Sequence, residues 1–210
     1  MKTLTLLFAA TALSLVAPVA RAAAPDVSYQ VRGSSASGNA YAYDECTSVG
    51  VDVGGSANTV HNAGGPPVQE NGTWAGFYSY DWCTGEQSYG WGYVSGGFDG
   101  NMNSATIDIS FEVYTYSWIV EPDGSWSYVD GGTRTVEIAA DLNAQGDAYR
   151  GMNHSTSRWG DSFSRSRWIG QWRDAAVTMN VAIDGEIVEV AGSYGSLGTA
   201  NSGETAIYAW

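Results

Sequence analysis

Alternation of apolar and polar residues runs through much of this chain, and it limits the fold more than any other feature. In the stretch ATIDISFEV, Ala105, Ile107 and Ile109 fall on one side, while Asp108 and Ser110 fall on the other. The stretches TVEIAADL and AVTMNVAI repeat the pattern. A period of two residues is typical of a strand with one buried face, and the helical period is nearly absent. The sequence therefore predicts an all-β protein.

Turn signals separate the alternating stretches. Asn71-Gly72, Asp123-Gly124 and Asp184-Gly185 tolerate the positive φ angles of tight hairpins. No linker divides residues 23–210, so we predict one antiparallel β-sandwich or jelly-roll domain, because each strand with one apolar face needs a facing sheet. An eight-stranded outer-membrane barrel is the alternative fold, although the stretch GSSASGNAYAYDECTSVG would place small polar residues and an acid against lipid.

The first residues, MKTLTLLFAATALSLVAPVARAAAP, have the pattern of a secretory signal. Lys2 precedes an apolar run, and Ala20-Arg21-Ala22 is a suitable cleavage site. The run is short for a membrane anchor. We therefore predict a signal peptide at residues 1–22 and a protein secreted to the periplasm or the cell exterior.

The charge of the chain excludes several classes of partner. The full sequence has a formal net charge of −13, and without residues 1–22 it has seven arginines, no lysine and 22 acids, a charge of −15. Such a surface repels phosphate groups. We therefore expect no nucleic-acid partner and no membrane partner, while the oligomeric state is left open.

A short phrase occurs twice, as AYAYDECTS and FYSYDWCTG, and it contains the two cysteines of the chain, Cys46 and Cys83. In an exported protein such a pair is expected to form a disulfide. If each phrase is a strand, parallel neighbours would bring Asp44 and Asp81 together as a calcium or proton-sharing site, whereas antiparallel neighbours would separate them. We favour a structural role for the phrase and predict no metal site, since the cysteines and histidines lack zinc-ligand spacing.

Five of the seven arginines lie within 24 residues, in the stretch YRGMNHSTSRWGDSFSRSRWIGQWRDA, interleaved with three tryptophans. Guanidinium groups bind carboxylate or sulfate through two parallel hydrogen bonds, and indoles stack on sugar rings or guanidinium planes. The stretch therefore predicts a surface for an extracellular glycan or an anionic small molecule. The candidate ligand-binding residues are Arg158, Trp159, Arg165, Arg167, Trp168 and Trp172.

The alternative for this stretch is structural. Its arginines would then pair with acids such as Asp141, Glu137 or Asp174, and its indoles would be buried.

A return of the chain near Gly160-Asp161 would let its two halves pair as strands and pool their side chains in one patch.

The D-x-C-T-G of Asp81 to Gly85, followed by VEIAADL, SRW, SFSRSRW and AAVTMNVAIDG, resembles a group of secreted bacterial β-rich proteins. The resemblance covers about Tyr78 to Gly185. The resemblance implies a bacterial exported protein, and it identifies no catalytic residue in this chain.

Taken together, these features favour a non-catalytic extracellular binding or surface module. No serine, histidine and acid follow a recognisable catalytic motif, so we assign no catalytic residue and no cofactor. A small secreted polysaccharide-acting enzyme of the glycosidase type is the alternative function, as the Gly, Ser, Tyr and Trp content is similar to that of xylan-degrading jelly rolls. The acids Glu112 and Glu137, however, lie on exposed strand faces without the flanking motifs of that class.

Overall fold

The computed structural model describes residues 27–207, so the predicted signal peptide at residues 1–22 lies outside the described residues. Within this range, all the regular elements are strands, which confirms the all-β prediction. They are β1 (Val27–Tyr43), β2 (Thr47–Asn62), β3 (Val68–Asp81), β4 (Glu86–Ser95), β5 (Phe98–Gly100), β6 (Ser104–Val120), β7 (Trp126–Trp159), β8 (Ser162–Ile183), β9 (Glu186–Val188) and β10 (Ala191–Ile207). A search of the same residues found no helix with the length and apolarity needed to cross a membrane.

The strands form one antiparallel sheet in the order β10-β1-β2-β3-β4-β6-β7-β8-β9. β10 pairs with β1 along one edge and with β8 along the other. The pairings of the eight long strands therefore close into a ring, which gives the sheet an inner and an outer face. The short strands β5 and β9 pair with β6 and β8 respectively.

The hydrophobic core lies on the inner face at one end of the ring. Alternate residues of a strand point to the same face, and the inward positions there are apolar. The largest fully buried side chains include Val53, Ile107, Leu142, Val181 and Leu197, each from a different strand. The predicted apolar faces of β6, β7 and β8 are thus the faces that pack together.

The inner face becomes polar toward the other end of β1, β7, β8 and β10. β6 begins at Ser104, so the distal part of β7 has only β8 beside it, and the register of that pair is irregular between Gln145 and Tyr149. Residues 149–159 and 162–172 then form a hairpin whose β8 half also pairs with β10. This hairpin is the arginine- and tryptophan-rich stretch.

Each copy of the repeated phrase begins a hairpin turn with the same pair of side-chain hydrogen bonds, although the connecting segments differ, residues 44–46 in the first copy and 82–85 in the second. Each aspartate accepts hydrogen bonds from the backbone N–H groups two and three residues further on, at 2.7 and 2.6 Å for Asp44 and at 2.8 and 3.0 Å for Asp81. Such side-chain bonds stabilise a turn in place of a backbone bond. The pKa of Asp44 is lowered, mainly by a hydrogen bond from the Thr47 hydroxyl, and the pKa of Asp81 is lowered, mainly by the backbone N–H of Thr84.

The two turns are joined by the Cys46–Cys83 disulfide, with the Cα atoms 5.4 Å apart, which confirms the predicted pairing. The phrase is not a strand throughout, because β1 ends at Tyr43 and Asp44 lies in the turn. β2 separates β1 from β3, so the two copies run parallel without pairing with each other. The phrase thus supplies each of two neighbouring hairpins with an aspartate that stabilises the turn and with one cysteine of the disulfide. A disulfide is compatible with an oxidising compartment.

Candidate functional site

The hairpin of β7 and β8 separates its arginines from its tryptophans. The register of β8 against β10 is regular along the hairpin, so Arg165 and Arg167 share the inward face with the buried Ala175. Trp168 and Trp172 occupy the alternate, outward positions. The structure therefore does not bring these guanidinium groups and indoles together in one patch, because the strand period of two divides them.

The outer face of the hairpin is held by aromatic and hydroxyl contacts. The Trp172 and Tyr149 rings stack with centroids 6.3 Å apart and an interplanar angle of 23°. Hydroxyl pairs link the two strands, among them Ser155 and Ser166 at 2.7 Å. Trp159, opposite Ser162 at the tip, is 91% exposed. On the outer face, Trp172 therefore packs against Tyr149, whereas Trp159 is almost fully exposed.

Polar residues from four other strands share the inner face with the arginines. Arg167 lies opposite His154 in β7 and opposite Gly203 in β10. Gly203 in turn lies opposite Gln30 in β1, and Gln30 lies opposite His61 in β2. Both histidines of the chain therefore fall on one row of the inner face, and Gly203 lies between Gln30 and Arg167 in that row.

A cavity of about 470 Å³ lies over this row, and we call it the arginine cavity. Arg165 and Arg167 line it from β8, Asn201 and Glu204 line it from β10, and Gln30 lines it from β1. Side chains alternate between the two faces along β10, so the Glu204 side chain points to the outer face, opposite Ser166 of β8. The lining therefore combines the two arginines with neutral polar residues and the apolar Ile169, and its one acid, Glu204, forms no salt bridge with them.

Hydrogen bonds orient the groups around the arginine cavity. Arg165 Nε donates to His154 Nε2 at 3.1 Å. One terminal atom of the Gln30 amide lies 3.0 Å from Asn201 Oδ1 and 3.2 Å from the Arg32 guanidinium. These contacts position the charged groups without neutralising them.

The arginines of the cavity have no ion-pair partner among the described residues. In residues 27–207, both ion pairs belong to Arg134, at 2.9 Å from Asp184 and 3.4 Å from Glu86, near the opposite end of the ring. The acids that could have neutralised Arg165 and Arg167 form no salt bridge with them. The structural alternative for the arginines therefore does not hold at these two positions.

Arg173 and Arg158 differ from the two cavity arginines. Arg173 donates to the Gly146 carbonyl oxygen from Nε at 3.1 Å and from Nη2 at 2.7 Å. These bonds stabilise β7 just beyond the end of its pairing with β6. Arg158 lies opposite Phe163 near the tip of the hairpin, on the inward phase. Arg165 and Arg167 are thus the predicted arginines that line the cavity.

Sequence reasoning missed Gln30, Arg32 and Asn201. Gln30 and Arg32 lie on β1 and Asn201 lies on β10, 171 residues from Gln30 along the chain, and the pairing of β1 with β10 brings them together. No local pattern marks them, because their strands read as ordinary Ser- and Gly-rich segments.

Two other groups of residues have some of the features of a catalytic or metal site. A cavity of about 680 Å³ on β6, β7 and β8 includes Asp108 and Glu137. These acids lie diagonally on neighbouring strands of one face rather than across a groove, because Ser110 is opposite Glu137. Cys46, Cys83 and Asp81 lie within ligand distance of one another, but the two sulfurs are bonded to each other and are not available to a metal.

Comparisons with known proteins do not assign the chain to a family. No protein-family model and no curated protein sequence matches the chain. A solved structure of an acetoacetate decarboxylase-like enzyme from Sphingomonas wittichii RW1 aligns over 95% of this chain and all of that chain, with 10% sequence identity and a TM-score of 0.34. A likeness of this size carries no argument for a shared fold or activity.

Proposed function

We propose that the protein is an exported, non-catalytic binding module whose arginine cavity binds an anionic ligand, such as a uronic-acid saccharide or another small carboxylate. The observation that carries the proposal is that Arg165 and Arg167 line one cavity without an ion-pair partner. In a chain with a threefold excess of acids, two neighbouring guanidinium groups that form no salt bridge are best explained by a partner that arrives from outside.

The spacing of the two arginines suits a ligand with a pair of anionic or polar groups. Residues two apart on a strand are about 6.8 Å apart. Each guanidinium can bind a carboxylate through two parallel hydrogen bonds. The amides of Gln30 and Asn201 offer donors and acceptors for hydroxyl groups beside the carboxylates. A short acidic saccharide carries both kinds of group.

The overall charge favours a small ligand over a long polyanion. Without residues 1–22 the chain has a net charge of −15, which repels a polyanion at long range. The local positive field acts over about 10 Å at ordinary salt. Export, which the predicted signal peptide and the disulfide support, would bring the cavity into contact with extracellular saccharides.

The test is calorimetric titration of the protein with trigalacturonate, with xylotriose as the uncharged comparison. We expect binding of the acidic trisaccharide only. Arg165→Ala and Arg167→Ala should each weaken it about tenfold to about a hundredfold, since a charge-assisted hydrogen bond contributes about 1.5–3 kcal/mol. Binding should also weaken from about 0.05 M to about 0.5 M salt.

Arg134→Gln is the matched control, because it removes the same charge near the other end of the ring. It should leave the affinity unchanged. Equal weakening by Arg134→Gln and Arg167→Ala would mean that net charge, rather than the arginine cavity, governs binding. Absence of binding to trigalacturonate and to free galacturonate would overturn the proposal.

A further inference from the structure

The outer face of β3 and β4 carries two adjacent tryptophans that the arginine cavity does not involve. The Trp74 and Trp91 ring centroids are 6.0 Å apart, and their planes are inclined by only 33°. The two rings lie on neighbouring strands, since Trp91 is opposite Gly76 and Trp74 is opposite Tyr93. They therefore form one nearly continuous aromatic surface, which we call the indole platform.

Glycines hold the two indoles flat against the sheet. A Cβ atom added at Gly76 would lie 2.7–2.9 Å from three atoms of the Trp91 six-membered ring, and one added at Gly54 would lie 2.4–2.6 Å from three atoms of Trp74. One face of each ring therefore rests on glycine backbone, where no side chain fits. Both rings are also accessible to solvent, since Trp91 is 71% exposed and Trp74 is 39% exposed.

Two cavities extend the indole platform along the outer face. One, of about 510 Å³, is lined by Trp91, Tyr78, Tyr89 and Asp52. The other, of about 400 Å³, has Ser35, Ser56 and Gly72 among its lining residues, with Trp74 in β3 and Trp172 in β8. From β8 through β10, β1, β2 and β3 to β4, the surface spans five strand spacings, or about 24 Å.

We propose that the indole platform and its two cavities bind an extended neutral polysaccharide. Flat, exposed aromatic faces suit the C–H faces of pyranose rings, and tyrosine and serine hydroxyls suit sugar hydroxyls. Among the described residues that line these cavities, Asp52 is the only charged one. It can accept hydrogen bonds from sugar hydroxyls but repels an anionic chain, so the expected ligand is uncharged.

This site is separate from the arginine cavity, because it lies on the other face of the sheet. The experiment is calorimetric titration of the disulfide-bonded protein with cellohexaose, xylohexaose and mannohexaose. We expect at least one of them to bind, and Trp91→Ala and Trp74→Ala to weaken that binding about tenfold or more. Asp52→Ala, which leaves the aromatic packing intact, should weaken it severalfold.

Trp159→Ala is the matched control, because it removes a still more exposed tryptophan at the hairpin tip. It should leave the affinity for the hexasaccharide unchanged. Unchanged circular dichroism would show that the variants fold.

Three results would overturn the proposal. The first is failure of all three hexasaccharides to bind, and the second is equal loss of binding in Trp91→Ala and Trp159→Ala. The third is a concentration-dependent dimer, seen by analytical ultracentrifugation, that Trp91→Ala disperses, since it would assign the surface to a second copy of the chain.

Discussion

Replacement of Cys46 and Cys83 together by serine removes the covalent link between the two hairpin turns. The cysteines are 37 residues apart in sequence. For a loop of this length, chain entropy predicts a loss of about 4 kcal/mol in the free energy of unfolding. At about 2–4 °C per kcal/mol for a chain of this size, the melting temperature should fall by about 8–16 °C.

The assay is thermal and urea denaturation followed by circular dichroism, on the oxidised protein, the reduced protein and the double serine variant. Reduced protein and the variant should unfold at the same temperature, and a reductant should not affect the variant. The turn hydrogen bonds of Asp44 and Asp81 do not involve the sulfurs, so the native sheet should persist and the far-ultraviolet spectrum should be unchanged.

The reasoning would be refuted by a shift of less than about 2 °C, because the cross-link would then not restrict the unfolded chain as the loop length requires. Two titratable thiols in unreduced native protein would refute the pairing itself.

Three further predictions concern single positions. The pKa of Asp44 is lowered in the folded state, so its contribution to stability is present above the ordinary carboxyl pKa and is lost as the pH falls through the lowered pKa. Asp44→Asn should therefore destabilise the protein at pH 7 and destabilise it less near pH 2, as measured by urea denaturation. Leu142→Ala should cost about 2–5 kcal/mol in the same assay, because the side chain is fully buried, and a cost below about 1 kcal/mol would contradict its place in the core. Arg134→Gln should cost about 1 kcal/mol or less, because its ion pairs with Asp184 and Glu86 are partly exposed, and added salt should reduce that cost.

The strands could be predicted because the alternation of apolar and polar residues depends only on neighbouring positions in the sequence. Ile107 and Val181 are buried as their phase requires, and the Asp184-Gly185 turn joins β8 to β9. The pairing of β10 with both β1 and β8 could not be predicted, since it joins Ser- and Gly-rich strands with little apolar pattern and depends on contacts between distant parts of the chain.

The candidate site was predictable only in part. The density of arginines identified Arg165 and Arg167, but the prediction of a single patch with an indole ignored the strand period that sends neighbouring side chains to opposite faces. Gln30 and Asn201 could not be found, because only ring closure places them beside the arginines. The role of the repeated aspartates was also missed, as the phrase was treated as a strand rather than as the start of a turn.

The central claim is that a ligand's anionic group meets Arg165 and Arg167, and arginine side-chain NMR tests it directly. We would follow the Nε–Hε signals of the seven arginines in residues 27–207 while trigalacturonate is added. The account predicts saturable shifts of the Arg165 and Arg167 signals, while the signal of Arg134, already paired with Asp184, stays in place. Unchanged Arg165 and Arg167 signals, or equal shifts of all seven, would contradict it.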